Sequence, residues 1–201
     1  MASNAVWLPS IGVCGGILVA ASDRFFKISQ SYLTTNTVST QIKMLANNEE
    51  WSITGVCGPQ SNTDKILFLQ EIIDIRQHVL PAWLLLGDFN LILSAQDKNN
   101  TCINMPMINR FRTTIDNMEL APLTLRGRKF TWCNDQQMPT MTKIDHMLAS
   151  ANWLDLFPRT DLQALASLGS DHCPLFLQGD VTFNFYRGSI LKHTGFICLV
   201  S

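Results

Sequence analysis

Apolar and polar positions fall in blocks along this chain. Six short segments carry the apolar, β-branched and aromatic residues that suit strands: GGILVA (15–20), EWSITGVC (50–57), WLLLG (83–87), KFTWC (129–133), KIDHMLAS (143–150) and CPLFLQ (173–178). LTLRGRKFTW (123–132) predicts a hairpin turning at Arg126-Gly127. Two longer segments repeat at helical spacing instead. From Asp64 to Val79 the apolar positions are Ile66, Leu69, Ile72, Ile73 and Val79, with Asn62 or Thr63 as cap and Pro81 just past the end. From Met107 to Leu120 the stripe is Ile108, Phe111, Ile115 and Met118. Both stripes read as core faces. Strands with interposed helices predict an α/β or α+β domain built in layers, and the pattern alone does not choose a topology.

Composition narrows the class. A chain of 201 residues suits one domain with a substantial core, and 46% hydrophobic against 15% charged residues excludes a disordered or highly charged chain. The net charge of −1 provides no global basic field, so a nucleic-acid partner would need a local patch. Cysteines at 14, 57, 102, 133, 173 and 198 include no CxxC pair, so they suggest neither zinc spacing nor a disulfide framework. They read as reduced thiols of an intracellular protein. The segment 5–22 has no Lys or Arg ahead of its apolar part and is interrupted by Pro9 and three glycines, unlike a signal peptide. No run of 18 apolar residues offers a membrane span.

Three polar clusters do not fit a core. WLLLGDFNLIL (83–93) sets Asp88 and Asn90 two apart inside an apolar run, where desolvating an unpaired carboxylate costs several kcal/mol. On a strand the two side chains would share a face and present polar groups to a cleft. At a strand-to-loop turn they would instead satisfy backbone N–H groups. GSDHCPL (169–175) puts Asp171, a possible metal ligand, beside His172, a possible proton holder, although such pairs also occur in ordinary loops. In KIDHMLAS, Asp145 interrupts an alternating strand; pointing inward it could orient an imidazole, and pointing outward it would only be solvated.

Together and in this order, GGILVA, WSITGVCGP, LLLGDFNLIL, GRKFTWCN, KIDHMLAS and SDHCPL resemble the endonuclease/exonuclease/phosphatase superfamily, and most of all the endonuclease domain of plant LINE-type retrotransposons. The resemblance implies a four-layered αββα sandwich of the DNase I-like type over residues 1–180, with its first strands missing. Residues 181–201 resemble the start of the linker toward a reverse transcriptase. It also implies Mg²⁺-dependent hydrolysis of phosphodiesters in DNA, with Mn²⁺ as a possible substitute, in the nucleus. Asp88 would orient or deprotonate water or protonate the leaving oxygen, and Asn90 would hold the scissile phosphate. Asp171 would help place the metal, His172 would contact a phosphate oxygen, and Asp145 would orient His172. Arg126, Arg128, Lys129, Trp132 and Lys143 could track a phosphate backbone, or could be the ordinary polar surface of a hairpin.

The departures matter as much. Family domains open with an Asn-bearing strand and a Glu that is a principal Mg²⁺ ligand, whereas MASNAVWLPSIGVCGG resembles the segment just after that Glu. Asn4 sits in no strand pattern, and Glu49 and Glu50 come too late to substitute. Cys57 stands where a Tyr is frequent, and His146 where LINE-type domains usually carry Arg. One Asp with water holds Mg²⁺ poorly. The expectation is therefore an impaired hydrolase, with a non-catalytic remnant that binds nucleic acid or protein as the alternative and a small-molecule phosphatase as a third class.

Overall fold

The computed structural model describes residues 4–10, 15–134, 136–167, 169–180 and 196–200. Along the chain run β1 (Ala5–Leu8), β2 (Ile17–Ala21), β3 (Phe26–Leu33), β4 (Thr37–Met44), β5 (Glu50–Cys57), α1 (Asn62–Ile75), β6 (Trp83–Asp88) and α2 (Met105–Asn117). Then come β7 (Leu120–Pro122), β8 (Leu125–Arg126), β9 (Trp132–Cys133), β10 (Met141–Thr142), β11 (Asp145–Ser150), α3 (Ala151–Leu156), β12 (Arg159–Ala164), β13 (Leu175–Asp180) and β14 (Phe196–Val200). The main sheet has the order β3-β4-β5-β6-β11-β7. Only β5 and β6 run parallel in it, joined by the crossover helix α1, and the site described below forms where these two strands end.

The apolar run of β6 follows from its central place. Trp83 and Leu85 pack into a core beneath α1 and α2, with Phe68, Ile72 and Phe111. Leu84 and Leu86 face a second core with Trp51, Ile53, Met147, Trp153 and Phe157. A strand buried on both faces has no polar face to show, so it reads as continuous rather than alternating. The second core is closed by two small sheets, β1-β2-β14 and β13-β12-β8. α1 and α2 on one face of the large sheet, and the smaller sheets with α3 on the other, make the α/β, DNase I-like sandwich expected from the motifs.

Several local expectations change. Ser61, not Asn62 or Thr63, caps α1: its Oγ accepts from the Asp64 N–H at 3.1 Å and donates to Asp64 Oδ2 at 2.6 Å. The second helix starts at Met105, with Asn104 accepting from the Met107 N–H, and stops before Glu119, whose φ of +55° breaks it. The hairpin at Arg126-Gly127 does not form. Leu125 and Arg126 pair in parallel with β12, while Trp132 and Cys133 pair with β10, so the two halves of that segment belong to different sheets. β3 and β4 carry no clean apolar stripe: β3 is an edge strand with an exposed outer half, and β4 buries Thr37, Ser39 and Thr40. Asn4 lies just ahead of β1 and ties three elements together, its Nδ2 donating to Ala21 O and Phe26 O and its Oδ1 accepting from the Ile28 N–H. Of the C-terminal segment expected to be a linker, 181–195 and 201 lie outside the described residues. Residues 196–200 form β14, antiparallel to β2.

Candidate active site

Asp88 closes β6, and the chain turns at once. Asn90 has φ +51°, a left-handed conformation that Asn tolerates because its side chain bonds locally. The Asn90 N–H donates to Asp88 Oδ1 at 2.8 Å. Its Nδ2 donates to Asp88 Oδ2 at 3.0 Å and to Gly58 O at 2.7 Å. The two readings of this stretch, strand end and turn, are therefore both true. Both amide hydrogens of Asn90 are engaged within the protein, so it braces Asp88 here, and a bond to phosphate would have to replace one of these contacts. Gly58 donates its N–H to Asp88 O at 2.6 Å. A Cβ on Gly58 would come within 2.3 Å of Phe89 O, so only glycine lets the loop after β5 lie against the end of β6.

The register of β6 and β11 sets Asp145 directly opposite Asp88. Thr131, fully buried, accepts through its Oγ1 from the N–H groups of Ile144 and Asp145, both at 3.1 Å, and so fixes the start of β11. Asp145 points inward and meets His172: the Nδ1–H donates to Oδ2 at 3.0 Å and to Oδ1 at 3.2 Å. With Nδ1 held there, Nε2 is the nitrogen left for the cavity that His172 lines. The Trp132 indole N–H donates to Asp171 Oδ2 at 2.8 Å, and a backbone bridge pairs Trp132 with His172. Asp88, Trp132, Asp171 and His172, from three separate stretches of the sequence, thus line one cavity of about 950 Å³, with Asp145 bonded to His172.

The charges interact. Burial, and then the facing Asp145 carboxylate, push Asp88 up from 3.8 to about 6, although the Asn90 backbone bond, His172 and Lys65 pull the other way. Burial works against a charge on His172. The Asp145 hydrogen bond and the negative charges of Asp145, Asp88 and Asp171 outweigh it, so His172 holds its proton above the usual histidine range. A carboxylate that titrates near pH 6 beside a readily protonated imidazole can move a proton at one point and stabilise negative charge at another.

The other expected residues are placed variously. Trp132 lines the cavity. Arg126 lies off it and pairs with Asp161 at 3.1 Å, its side chain largely exposed. Arg128 reaches toward Cys173 Sγ at 3.9 Å, and Lys129 sits over the Phe130 ring at 5.2 Å. Lys143 is held by its backbone N–H to Asp97 O, off the cavity wall. Glu50 pairs with Lys43 at the far end of β5 from the site. Cys57 lines the cavity, next to Asp88 in the β5–β6 register. His146 is a core residue: its Nε2 bonds Leu91 O, Phe89 and Phe111 stack edge-on against it, and burial pushes its pKa down to about 4, so it is neutral. Pattern reading missed Lys65 and Lys98, which also line the cavity. Its one clue was a lysine in a helix's first turn, where the dipole disfavours positive charge.

A model of the Endonuclease/Exonuclease/phosphatase family matches residues 15–172. Among curated protein sequences none matches the chain. Solved structures share the fold. The endonuclease domain of TRAS1, a telomere-specific non-LTR retrotransposon, superposes with a TM-score of 0.69 at 14% identity, over 90% of this chain and 82% of that one. D. rerio TDP2 in complex with a single-strand DNA product gives 0.54 at 14% identity, over 86% and 75%. A Bacteroides thetaiotaomicron mannosyl-6-phosphatase gives 0.51 at 13% identity, over 88% and 77%.

Proposed function

Because the chain belongs to the endonuclease/exonuclease/phosphatase family, we propose that its cleft hydrolyses phosphodiester bonds of DNA with the help of a divalent cation, and that it derives from a LINE-type retrotransposon acting in the nucleus. The observation that carries this reading is the meeting of Asp88, Asp145 and His172 at the ends of two adjacent strands. The LINE-like wording of GRKFTWCN and KIDHMLAS supports the origin.

At pH 7 about nine-tenths of a carboxylate titrating near 6 is ionised, which leaves Asp88 able to accept a proton from an attacking water while remaining a usable acid afterwards. Protonated His172, aimed by Asp145, donates Nε2–H to a non-bridging phosphate oxygen and steadies the charge that builds there. Asn90 keeps Asp88 in place through its backbone and amide N–H groups.

Asp171 fits a role in holding Mg²⁺ or Mn²⁺. Its Oδ2 is taken by Trp132, while Oδ1 accepts no hydrogen bond from the described residues, and Mg²⁺ is commonly held by one or two carboxylates with water and substrate oxygens. When bound, the cation polarises the phosphoryl group and offsets its charge. Among the described residues no three His, Cys, Asp or Glu side chains converge on a metal position, so weak metal affinity and slow turnover are expected.

Nicking of supercoiled plasmid with Mg²⁺ or Mn²⁺, beside an Asp88→Ala control, tests the proposal. Nicking that the control loses supports it. DNA binding without nicking above the control would leave a non-catalytic nucleic-acid-binding remnant.

A further inference from the structure

Two lysines face the same cavity as Asp88, Asn90 and His172, yet the hydrolytic step does not use them. Lys65 stands in the first turn of α1 and is half buried. Lys98 follows the short 3-10 turn after β6. Its backbone is bridged to Thr142, and its ammonium is pinned to the rim by one hydrogen bond to Cys102 O at 2.9 Å. An ammonium has three N–H donors, so two remain on Lys98. Neither lysine has a carboxylate within 4 Å among the described residues, whereas Lys43 and Arg126 elsewhere are paired.

This placement costs stability. A cation in the first helical turn opposes the macrodipole, and burial disfavours its charge. Burial and then the nearby Lys98 act against the charge on Lys65, and together they outweigh the attraction of Asp88, so its pKa falls below the ordinary lysine value. Two unpaired ammonium groups close enough to repel each other form a locally unfavourable arrangement that an anion between them would relieve. Local rules broken without an internal compensation are characteristic of binding sites. The α1 N-terminus is not itself the ligand site, because Asp64 already bonds the capping Ser61.

Lys65 acts on Asp88 more weakly than Asp145 or His172 does, and among the described residues it makes no ion pair with Asp88. The wall of the cavity that the lysines share with the reaction centre is partly apolar, with Leu91, Ile92, Ile103 and Met107, which suits a sugar or base.

We propose that Lys65 and Lys98 form a second anion subsite that holds a phosphate flanking the scissile one, so that the substrate is a nucleic-acid strand rather than a phosphomonoester. This deepens the hydrolase reading and rests on it. The two lysines are binding residues: they touch substrate and transfer no proton.

The test measures binding without turnover. Anisotropy of a short fluorescein-labelled oligothymidylate is titrated with the full chain in EDTA across a salt series, for the wild type, Lys65→Met, Lys98→Met, the double variant and the double Lys→Arg variant. Thermal denaturation confirms that each is folded. Each lost phosphate contact should lower the slope of log K against log salt by about 0.7 for a single strand. The double Met variant, which loses the one flanking phosphate, should therefore lose about 0.7 in slope and roughly tenfold or more in affinity at low salt, with the Arg variant near wild type. Thymidine monophosphate should compete at least a hundredfold more weakly than the oligonucleotide. Unchanged slopes, monophosphate competing equally, or no oligonucleotide binding by the wild type would overturn the subsite. Because hydrolysis is read separately against Asp88→Ala, an inactive chain that shows the slope change refutes only the hydrolase reading. An active chain without the change refutes only the subsite.

Discussion

Asp88→Asn should make the protein more stable while removing its activity. Ionised Asp88 is buried and faces Asp145, which raises it from 3.8 to about 6. A carboxylate raised in the folded state binds its proton more tightly there than in the unfolded chain. Its contribution is favourable at low pH and turns into a cost as pH rises through 6. A shift of about two pH units corresponds to roughly 3 kcal/mol lost above pH 7. Asparagine removes that cost and keeps an oxygen for the Asn90 backbone N–H. Its amide then meets the Asn90 amide across the 3.0 Å contact, which costs about 1 kcal/mol. The net gain at pH 8 is about 1–2 kcal/mol, or roughly 3–6 °C in Tm for a chain of this size. It should shrink toward zero or reverse at pH 4. Thermal unfolding of both proteins at the two pH values measures the difference, and titrations common to both cancel. A variant that is less stable at pH 8, or a difference that does not change with pH, would refute the electrostatic reasoning.

Further outcomes follow from the same geometry. His146, buried neutral and depressed to about 4, contributes stability that is complete above pH 6.5 and is lost progressively as pH falls toward 4, about 3 kcal/mol in all. Urea unfolding of His146→Phe should show a correspondingly flatter loss between pH 7.5 and 4.5. Gly58→Ala should cost about 1–3 kcal/mol by forcing the β5–α1 loop off Phe89, read as a lower urea midpoint together with lost nicking. Asp145→Asn should lower the His172 pKa toward or below 6.5, which an NMR titration of the imidazole would report directly.

The main landmarks were legible because they are local. The i, i+2 pair at Asp88 and Asn90, the Asp171-His172 dipeptide and the apolar run of a doubly buried strand are visible in a few residues each. What depended on distant pairing was not. The expected hairpin at Arg126-Gly127 looked sound locally, but its halves pair with β12 and β10. β4 hid behind hydroxyls because Ser39 and Thr54 satisfy each other inside the sheet, a bond that only the register creates. Asp145 could be suspected but not oriented, since its inward direction depends on Thr131 and His172. The cations of the cleft were sought in a basic segment near the motifs. Lys65 and Lys98 line it instead, brought there by the crossover helix and by the loop after β6.

The pH–rate profile of metal-supported nicking is the most direct test of whether Asp88 and the Asp145–His172 pair act as one proton-handling site. A bell is expected, rising through about pH 6 as Asp88 ionises and falling above the usual histidine range as His172 loses its proton. Because the Asp145 charge raises both groups, Asp145→Asn should move both limbs to lower pH together. A profile that is flat across this range, or limbs that stay in place in the variant, would contradict it.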